Sequence, residues 1–80
     1  MPSQNVKNLL KIILSGITDK DIEIEVKETD ELILIHIKPN DTILRAIIVG
    51  KSGNTINAIR KIFESIARFR EGKRIIIEVL

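Results

Sequence analysis

Residues 50–54, Gly-Lys-Ser-Gly-Asn, are the part of this sequence best suited to bind an anion. The two glycines permit backbone torsions that a Cβ atom obstructs, and they leave the outer surface of the turn free of side chains. A helix that starts after this segment directs unpaired N–H groups and the positive end of its dipole toward it. Lys51 adds a mobile cation and Ser52 a hydroxyl donor. The segment indicates a phosphate-binding loop; the alternative is a plain turn between two helices.

A nucleotide-binding P-loop does not fit the spacing. That motif is Gly-x-x-x-x-Gly-Lys-Ser/Thr, and it leaves a strand. With Gly50 as the last glycine, the first would fall at position 45, which is Arg45. The residues before Gly50 have helical spacing, and a chain of 80 residues is too short for the rest of an NTPase.

The other candidates for chemistry give little support to an enzyme. His36 is the only histidine and lies in an alternating segment typical of a strand, where a hydrogen-bonded structural role is expected. The chain has no cysteine, which excludes disulfides and thiolate metal sites. Glu23 and Glu25 share one strand face, as solubilising acids do, and Ser52 has no base in a recognisable arrangement. We expect a non-catalytic protein with no cofactor and no metal.

Six segments of regular structure position the loop. Helical spacing of apolar residues predicts an N-terminal helix that ends at Gly16, a short helix over 41–49 capped by Asn40 or Asp41, and a longer helix over 54–70 that ends at Gly72. Alternation predicts strands over 21–27, 31–38 and 73–80. The second strand is apolar on both faces, so we expect it at the centre of the sheet.

The resulting order is α-β-β-α-α-β in a single domain of residues 1–80. We predict an α+β fold of two layers, in which three helices cover one face of a three-stranded mixed sheet. The predicted core stripe of the last helix comprises Ile56, Ile59, Ile62, Phe63, Ile66 and Phe69. This stripe is wide, and any part of Ile62, Ile66 and Phe69 left outside the core would favour self-association.

Charge is distributed unevenly along the chain. The formal net charge is only +2, but residues 21–31 are acidic and the part beyond Pro39 is basic. A one-sided positive field attracts polyanions, although a plain solvated surface is the simpler alternative. No apolar run approaches the roughly 20 residues that cross a bilayer, and the N-terminal segment lacks the features of a signal peptide. We therefore expect a cytoplasmic protein with no membrane partner.

The segment IIVGKSGNTINAI resembles the Ile-Gly-x-x-Gly-x-x-Ile signature of KH domains, a family of RNA-binding modules. The element order is similar to the bacterial, type II arrangement of that family. The tail EGKRIIIEVL also resembles the ending of small bacterial single-KH proteins of the KhpA type. Three positions depart from the pattern: Val49 replaces isoleucine, Ala46 replaces a frequent glycine, and Ile47 replaces a frequent polar residue.

The resemblance implies that the loop binds the backbone of about four nucleotides of single-stranded RNA. The implied binding residues are Gly50, Lys51, Ser52, Gly53, Asn54, Arg45, Ile47 and Arg60. Ile48 and Ile56 are either the floor of the base-binding groove or simply core, and Lys73 and Arg74 are weaker candidates for its rim. The absence of Trp and Tyr argues against RNA modules that stack bases on strand aromatics.

The resemblance also implies partners. KhpA-type proteins form homodimers and pair with a larger KH-domain protein, and their expected role is that of an RNA chaperone or post-transcriptional regulator. Two functions therefore stay open at this point. One is an RNA-binding module; the other is a protein-interaction module that dimerises, with RNA binding secondary.

Overall fold

The computed structural model describes the backbone of residues 2–80 and the side chains from residue 4 onward. Its elements are α1 (Pro2–Thr18), β1 (Glu23–Glu28), β2 (Leu32–Lys38), α2 (Thr42–Val49), a single 3₁₀ turn (Lys51–Gly53), α3 (Asn54–Glu71) and β3 (Arg74–Val79). The predicted α+β class and element order are confirmed, and the 3₁₀ turn is an addition. No helix in this part of the chain is both long and apolar enough to cross a bilayer.

The sheet is three-stranded and mixed, as predicted. Its order is β1-β2-β3, with β1 antiparallel to β2 and β2 parallel to β3. The central position of β2 follows from its apolar residues on both faces, because a strand with two neighbours exposes little of either face. Ile35 lies between Val26 and Ile77 in the register, and the next residue, His36, lies between Glu25 and Glu78.

The core lies between one face of the sheet and the helices. Alternate strand residues point toward it, and their partners come from all three α-helices of the described chain. The fully buried large side chains are Leu10, Leu14, Ile33, Ile35, Ile37, Ile48 and Phe63. Each such side chain stabilises the fold by about 1.5–3 kcal/mol through burial. Within the described residues no element covers the opposite face, where Leu34 and His36 are half-buried.

The helix ends follow the predicted caps with one correction. Asp41 caps α2, since its Oδ1 accepts from the Leu44 amide at 2.8 Å, and Gly72 ends α3 with a left-handed φ of 63°. Gly16 was expected to end α1, but the helix continues to Thr18. Asp19 takes the left-handed conformation instead, with a φ of 57°, so glycine is not needed for the stop.

The core stripe of α3 is narrower than predicted. The buried residues are Ile56, Ile59, Phe63 and Ala67. Ile62 is 53% exposed and Phe69 is 87% exposed, so their predicted burial is wrong. Both residues lie about 100–120° around the helix from Phe63. Neither side chain belongs to the core cluster, to which α3 contributes Ile56, Ile59, Phe63 and Ala67.

Candidate nucleic-acid interface

The loop begins at Gly50, whose backbone torsions only glycine adopts readily. Its amide still donates to the Ala46 carbonyl at 2.9 Å, but its torsions are φ 79° and ψ 172°. A Cβ atom here would lie 2.3 Å from Thr55 Oγ1 and 2.8 Å from the Thr55 amide nitrogen. The first turn of α3 therefore packs directly on the bare Cα of Gly50, and this contact fixes the joint between α2 and α3.

The next residues form a turn with two left-handed positions. Ser52 has φ 55° and ψ 27°, and Gly53 has φ 77° and ψ 11°. The Gly53 amide donates to the Gly50 carbonyl at 3.1 Å, which closes the turn. Lys51 has an ordinary negative φ, and a right-handed residue followed by a left-handed one gathers its N–H groups into an anion-binding concavity. Holding Ser52 left-handed costs about 1–2 kcal/mol, a type of strain that clusters at binding sites.

The loop leaves polar donors without partners. Among the described residues, neither the backbone amides nor the side chains of Lys51 and Ser52 have a hydrogen-bond acceptor or ion-pair partner. Both residues are exposed, as is Asn54 at the start of α3. The amides of Gly50 and Gly53 are occupied, so the donor set is smaller than the sequence suggested. Two amides, one hydroxyl and one ammonium group remain for an anion.

The two predicted arginines both donate to backbone carbonyls near the end of the chain, Arg60 at the free edge of β3 and Arg45 one residue beyond β3. Arg60 Nε donates to the Ile77 carbonyl at 3.0 Å, and its Nη1 donates to Asn57 Oδ1 at 3.0 Å. Arg45 Nε donates to the Leu80 carbonyl at 3.2 Å. Positions 77 and 80 are about 10 Å apart along an extended strand. The structure therefore places Arg60 beside the free edge of β3 and Arg45 beside Leu80, whose amide donates to the Ile37 carbonyl of β2.

A cleft lies along the free edge of β3. It has a volume of about 280 Å³ and is lined by Arg60, Glu64, Ile75, Ile76, Ile77 and Glu78. Asn57 lies between cleft and loop: it accepts from Arg60, and a Cβ on Gly53 would lie 3.5 Å from its Nδ2. Sequence reasoning missed the cleft and its two acids, although the spacing of Arg60 and Glu64 places them on one side of a helix.

The predicted apolar part of the site is only partly exposed. Ile47 is 41% exposed on α2, and Ile43, one turn earlier, is 72% exposed. Ile48 and Ile56 are buried in the core, so they form no groove floor. Ile47 therefore supplies exposed apolar surface on the helix that leads into the loop.

The histidine and the acids weighed for catalysis lie on the uncovered face of the sheet, whereas Ser52 lies in the loop. His36 Nε2 is 3.2 Å from Glu78 Oε1, and its Nδ1 is 3.7 Å from Glu25 Oε1. The ammonium of Lys38, 3.4 Å from Glu25, holds the pKa of that carboxyl below its usual value through its charge and a hydrogen bond. In the described part of the chain, no group of three His, Cys, Asp or Glu residues is placed to hold a metal ion. The arrangement is a surface network of polar contacts, in which Lys38 and Glu25 form an ion pair.

Comparison with known proteins adds no identification. No model of a known protein family matches the chain, and no curated protein matches it. The features that define the site are therefore its own geometry: a small α+β domain, a strained glycine loop between two helices, and a cleft beside a free strand edge.

Proposed function

We propose that this protein binds single-stranded RNA without catalysing a reaction, as a small RNA chaperone or post-transcriptional regulator of the cytoplasm. The observation that carries the proposal is the exposed Lys51–Ser52 pair. Its two amides lack acceptors among the described residues, and the glycine joint holds them in a concave turn. A phosphate group satisfies two N–H donors, a hydroxyl and an ammonium group together. The resemblance of this segment to the KH signature supports the same ligand.

The free edge of β3 favours a single strand over a duplex. Because Arg60 binds the Ile77 carbonyl, that group points away from β2. Backbone groups alternate along a strand, so Ile75 and Val79 direct their N–H and C=O groups to the same open side. Such groups can pair with base edges only when the bases are unpaired and splayed out. The cleft beside them has room for such bases, whereas the loop holds the backbone.

Reversing the charge of the loop tests this proposal. In the double variant Lys51→Asp with Ser52→Asp, two carboxylates face the phosphate, and we expect RNA affinity to fall by more than about 30-fold. Fluorescence anisotropy with a labelled single-stranded oligoribonucleotide measures the affinity, and circular dichroism verifies the fold. Lys61→Asp with Ser65→Asp is the matched control, since both residues are exposed on α3 away from the loop. Unchanged affinity in a folded loop variant would refute the proposal.

The salt dependence gives a second readout of the same contact. If the loop and its arginines neutralise about three phosphates, log K falls with log salt at a slope of about −2 for a single strand. The loop variant is expected to show a clearly shallower slope, because its contacts to phosphate are lost.

A second function, self-association, is supported by the apolar flank of α3. Ile62 and Phe69 are exposed by 53% and 87%, and half-buried Ile66 lies between them. Across a shallow cleft from Ile66 lies Leu9 of α1. We propose that a second copy of the chain docks on this flank, with a larger KH-domain protein as the alternative partner implied by the resemblance. A dimer presents two loops and so raises the effective RNA affinity.

Sedimentation across a range of concentrations tests the dimer. We expect the wild type to dimerise and Phe69→Ser to shift the equilibrium toward monomer, because it removes the largest exposed side chain of the flank. Ile43→Ser is the control, since Ile43 is a 72% exposed apolar residue on α2, outside this flank. A wild type that stays monomeric at high concentration would rule out this assembly.

A further inference from the structure

A second cleft lies at the other end of α3. It has a volume of about 270 Å³ and is lined by Glu64, Arg68, Lys73, Arg74, Ile75 and Ile76. Three of these residues, Glu64, Ile75 and Ile76, also line the cleft that contains Arg60. The two clefts are therefore parts of one groove between α3 and the free edge of β3.

The spacing of residues on α3 explains the course of this groove. Asn57, Arg60, Glu64 and Arg68 follow one another at intervals of three or four residues, so they lie on one side of the helix. From Gly53 in the loop to Arg68 the helix rises about 22 Å. The residues of α3 that line the groove, from Arg60 to Arg68, span about 12 Å of this rise, and Asn57 lies between Arg60 and the loop.

Exposed cationic side chains lie at the end of the groove that is farther from the loop. Arg68 and Arg74 are exposed and have no hydrogen-bond or ion-pair partner among the described residues. Lys73 differs, because its ammonium contacts the Glu28 carboxylate and donates to the Thr29 carbonyl at 2.9 Å. Two guanidinium groups are therefore available, and guanidinium binds phosphate with two parallel hydrogen bonds.

We propose that Arg68 and Arg74 form a second phosphate-binding site, so that one RNA strand is held at both ends of α3. This inference rests on the proposed RNA-binding function and extends its footprint beyond the about four nucleotides of the loop. Glu64 lies between the two basic ends and repels phosphate from the middle of the groove. The strand accordingly turns its backbone toward the ends and a base toward the centre.

Oligouridylates of two lengths test the second site. We expect Arg68→Gln with Arg74→Gln to bind an RNA of about four nucleotides as the wild type does, because the loop alone holds it. For an RNA of about ten nucleotides we expect a loss of roughly tenfold and a salt slope shallower by about 1.4, since two phosphate contacts disappear. The single variants are each expected to show about half of this change in slope.

The control variant is Lys61→Gln with Arg70→Gln. It removes the same number of positive charges, but neither residue lines the groove, and Arg70 faces the cleft toward α1. We expect its affinity for both RNAs to stay within about twofold of wild type. An equal loss in this control would assign the effect to net charge and overturn the second site.

The outcomes separate this inference from the function on which it rests. If the wild type binds neither RNA, the proposed function fails and the second site fails with it. If the Lys51 and Ser52 double variant loses affinity while the Arg68 and Arg74 variant binds the longer RNA as tightly as the wild type, only the second site is refuted. A length-dependent loss confined to the Arg68 and Arg74 variant supports it.

Discussion

The two ends of α3 are built differently, although a glycine with positive φ stands at each. At the C-terminal end the backbone closes on itself: the Gly72 amide donates to the Arg68 carbonyl at 3.2 Å, and the Lys73 amide donates to the Ala67 carbonyl at 3.3 Å. At the N-terminal end the Lys51 and Ser52 amides have no acceptor in the described chain. The C-terminal end pairs two of its backbone carbonyls, whereas the N-terminal end leaves two amides without acceptors among the described residues.

The helix dipole gives this difference a consequence for anion binding. The N-terminal end carries partial positive charge, so backbone and Lys51 act together on a phosphate. The C-terminal end carries partial negative charge, so a phosphate there depends on side chains such as Arg68 and Arg74 alone. Backbone substitutions should therefore matter most at the loop, whereas charge substitutions should dominate at the far end.

The largest expected effect is on stability, and it distinguishes Gly50 from Gly72. Gly50→Ala should destabilise the protein by about 3 kcal/mol, because its backbone torsions exclude Cβ and the methyl group would overlap Thr55. Gly72→Ala should cost only about 1 kcal/mol, since the space around Gly72 is open and only its left-handed φ is strained. Urea denaturation measures both. Equal destabilisation of the two variants would contradict the difference between the two ends.

A smaller effect is expected from relieving the strain in the loop. Ser52→Gly should raise stability by about 0.5 kcal/mol, because glycine adopts the left-handed region freely but orders at a greater entropic cost. RNA affinity should fall roughly fivefold, since the hydroxyl donor is lost. Ser52→Ala is the control: it should lose similar affinity without gaining stability. An affinity equal to that of wild type in both variants would remove Ser52 from the site.

Removal of the acid in the groove, Glu64, should have a still smaller effect, and it should raise RNA affinity. Glu64→Gln should tighten the binding of the longer RNA by about two- to threefold, because an exposed like charge beside the backbone is removed. Glu71→Gln, on the same helix but facing α1, should leave affinity unchanged. Weaker binding by Glu64→Gln would show that the carboxylate contacts a base, and phosphate repulsion would then be the wrong explanation.

The smallest effect is expected from the ion pair of Lys38 and Glu25 on the uncovered face of the sheet, away from both ends of α3. Folding lowers the pKa of Glu25 from 4.5, chiefly through the charge of Lys38. Its ionised form therefore adds stability that is present above pH 4.5 and is lost as pH falls through the folded pKa. Lys38→Gln should weaken this pH dependence in thermal melts and leave RNA affinity unchanged. A pH profile identical to that of the wild type would argue against this ion pair.

The sequence predicted those features that depend on local patterns. Alternation placed the three strands, the apolar character of the Leu32–Lys38 segment placed β2 at the centre, and Asp41 and Gly72 marked helix ends. The glycine spacing placed the exposed loop between two helices. Each of these depends on torsions or on a neighbour close in sequence.

The features that were missed depend on tertiary partners. Ala67 is buried and Phe69 is exposed because only a narrow stripe of α3 packs against the core. Helical spacing alone does not give the width of that stripe. The partner of Arg60 is a β3 carbonyl 17 positions away, available only because β3 pairs with β2 and keeps a free edge. The groove also depends on the free edge of β3. Its acids, Glu64 and Glu78, and the cations Arg68 and Arg74 therefore could not be recognised from the sequence as one group.

The close approach of Thr55 to Gly50 leaves little space for the angle between α2 and α3 to change. Under the proposed RNA binding, a joint of this kind leaves the conformational adjustment to the nucleic acid. Strands that lose little on unstacking, such as uridine runs, should then be preferred over adenosine runs, whose bases stack strongly. Selectivity of this kind arises from the flexibility of the polymer and needs no direct recognition of base identity.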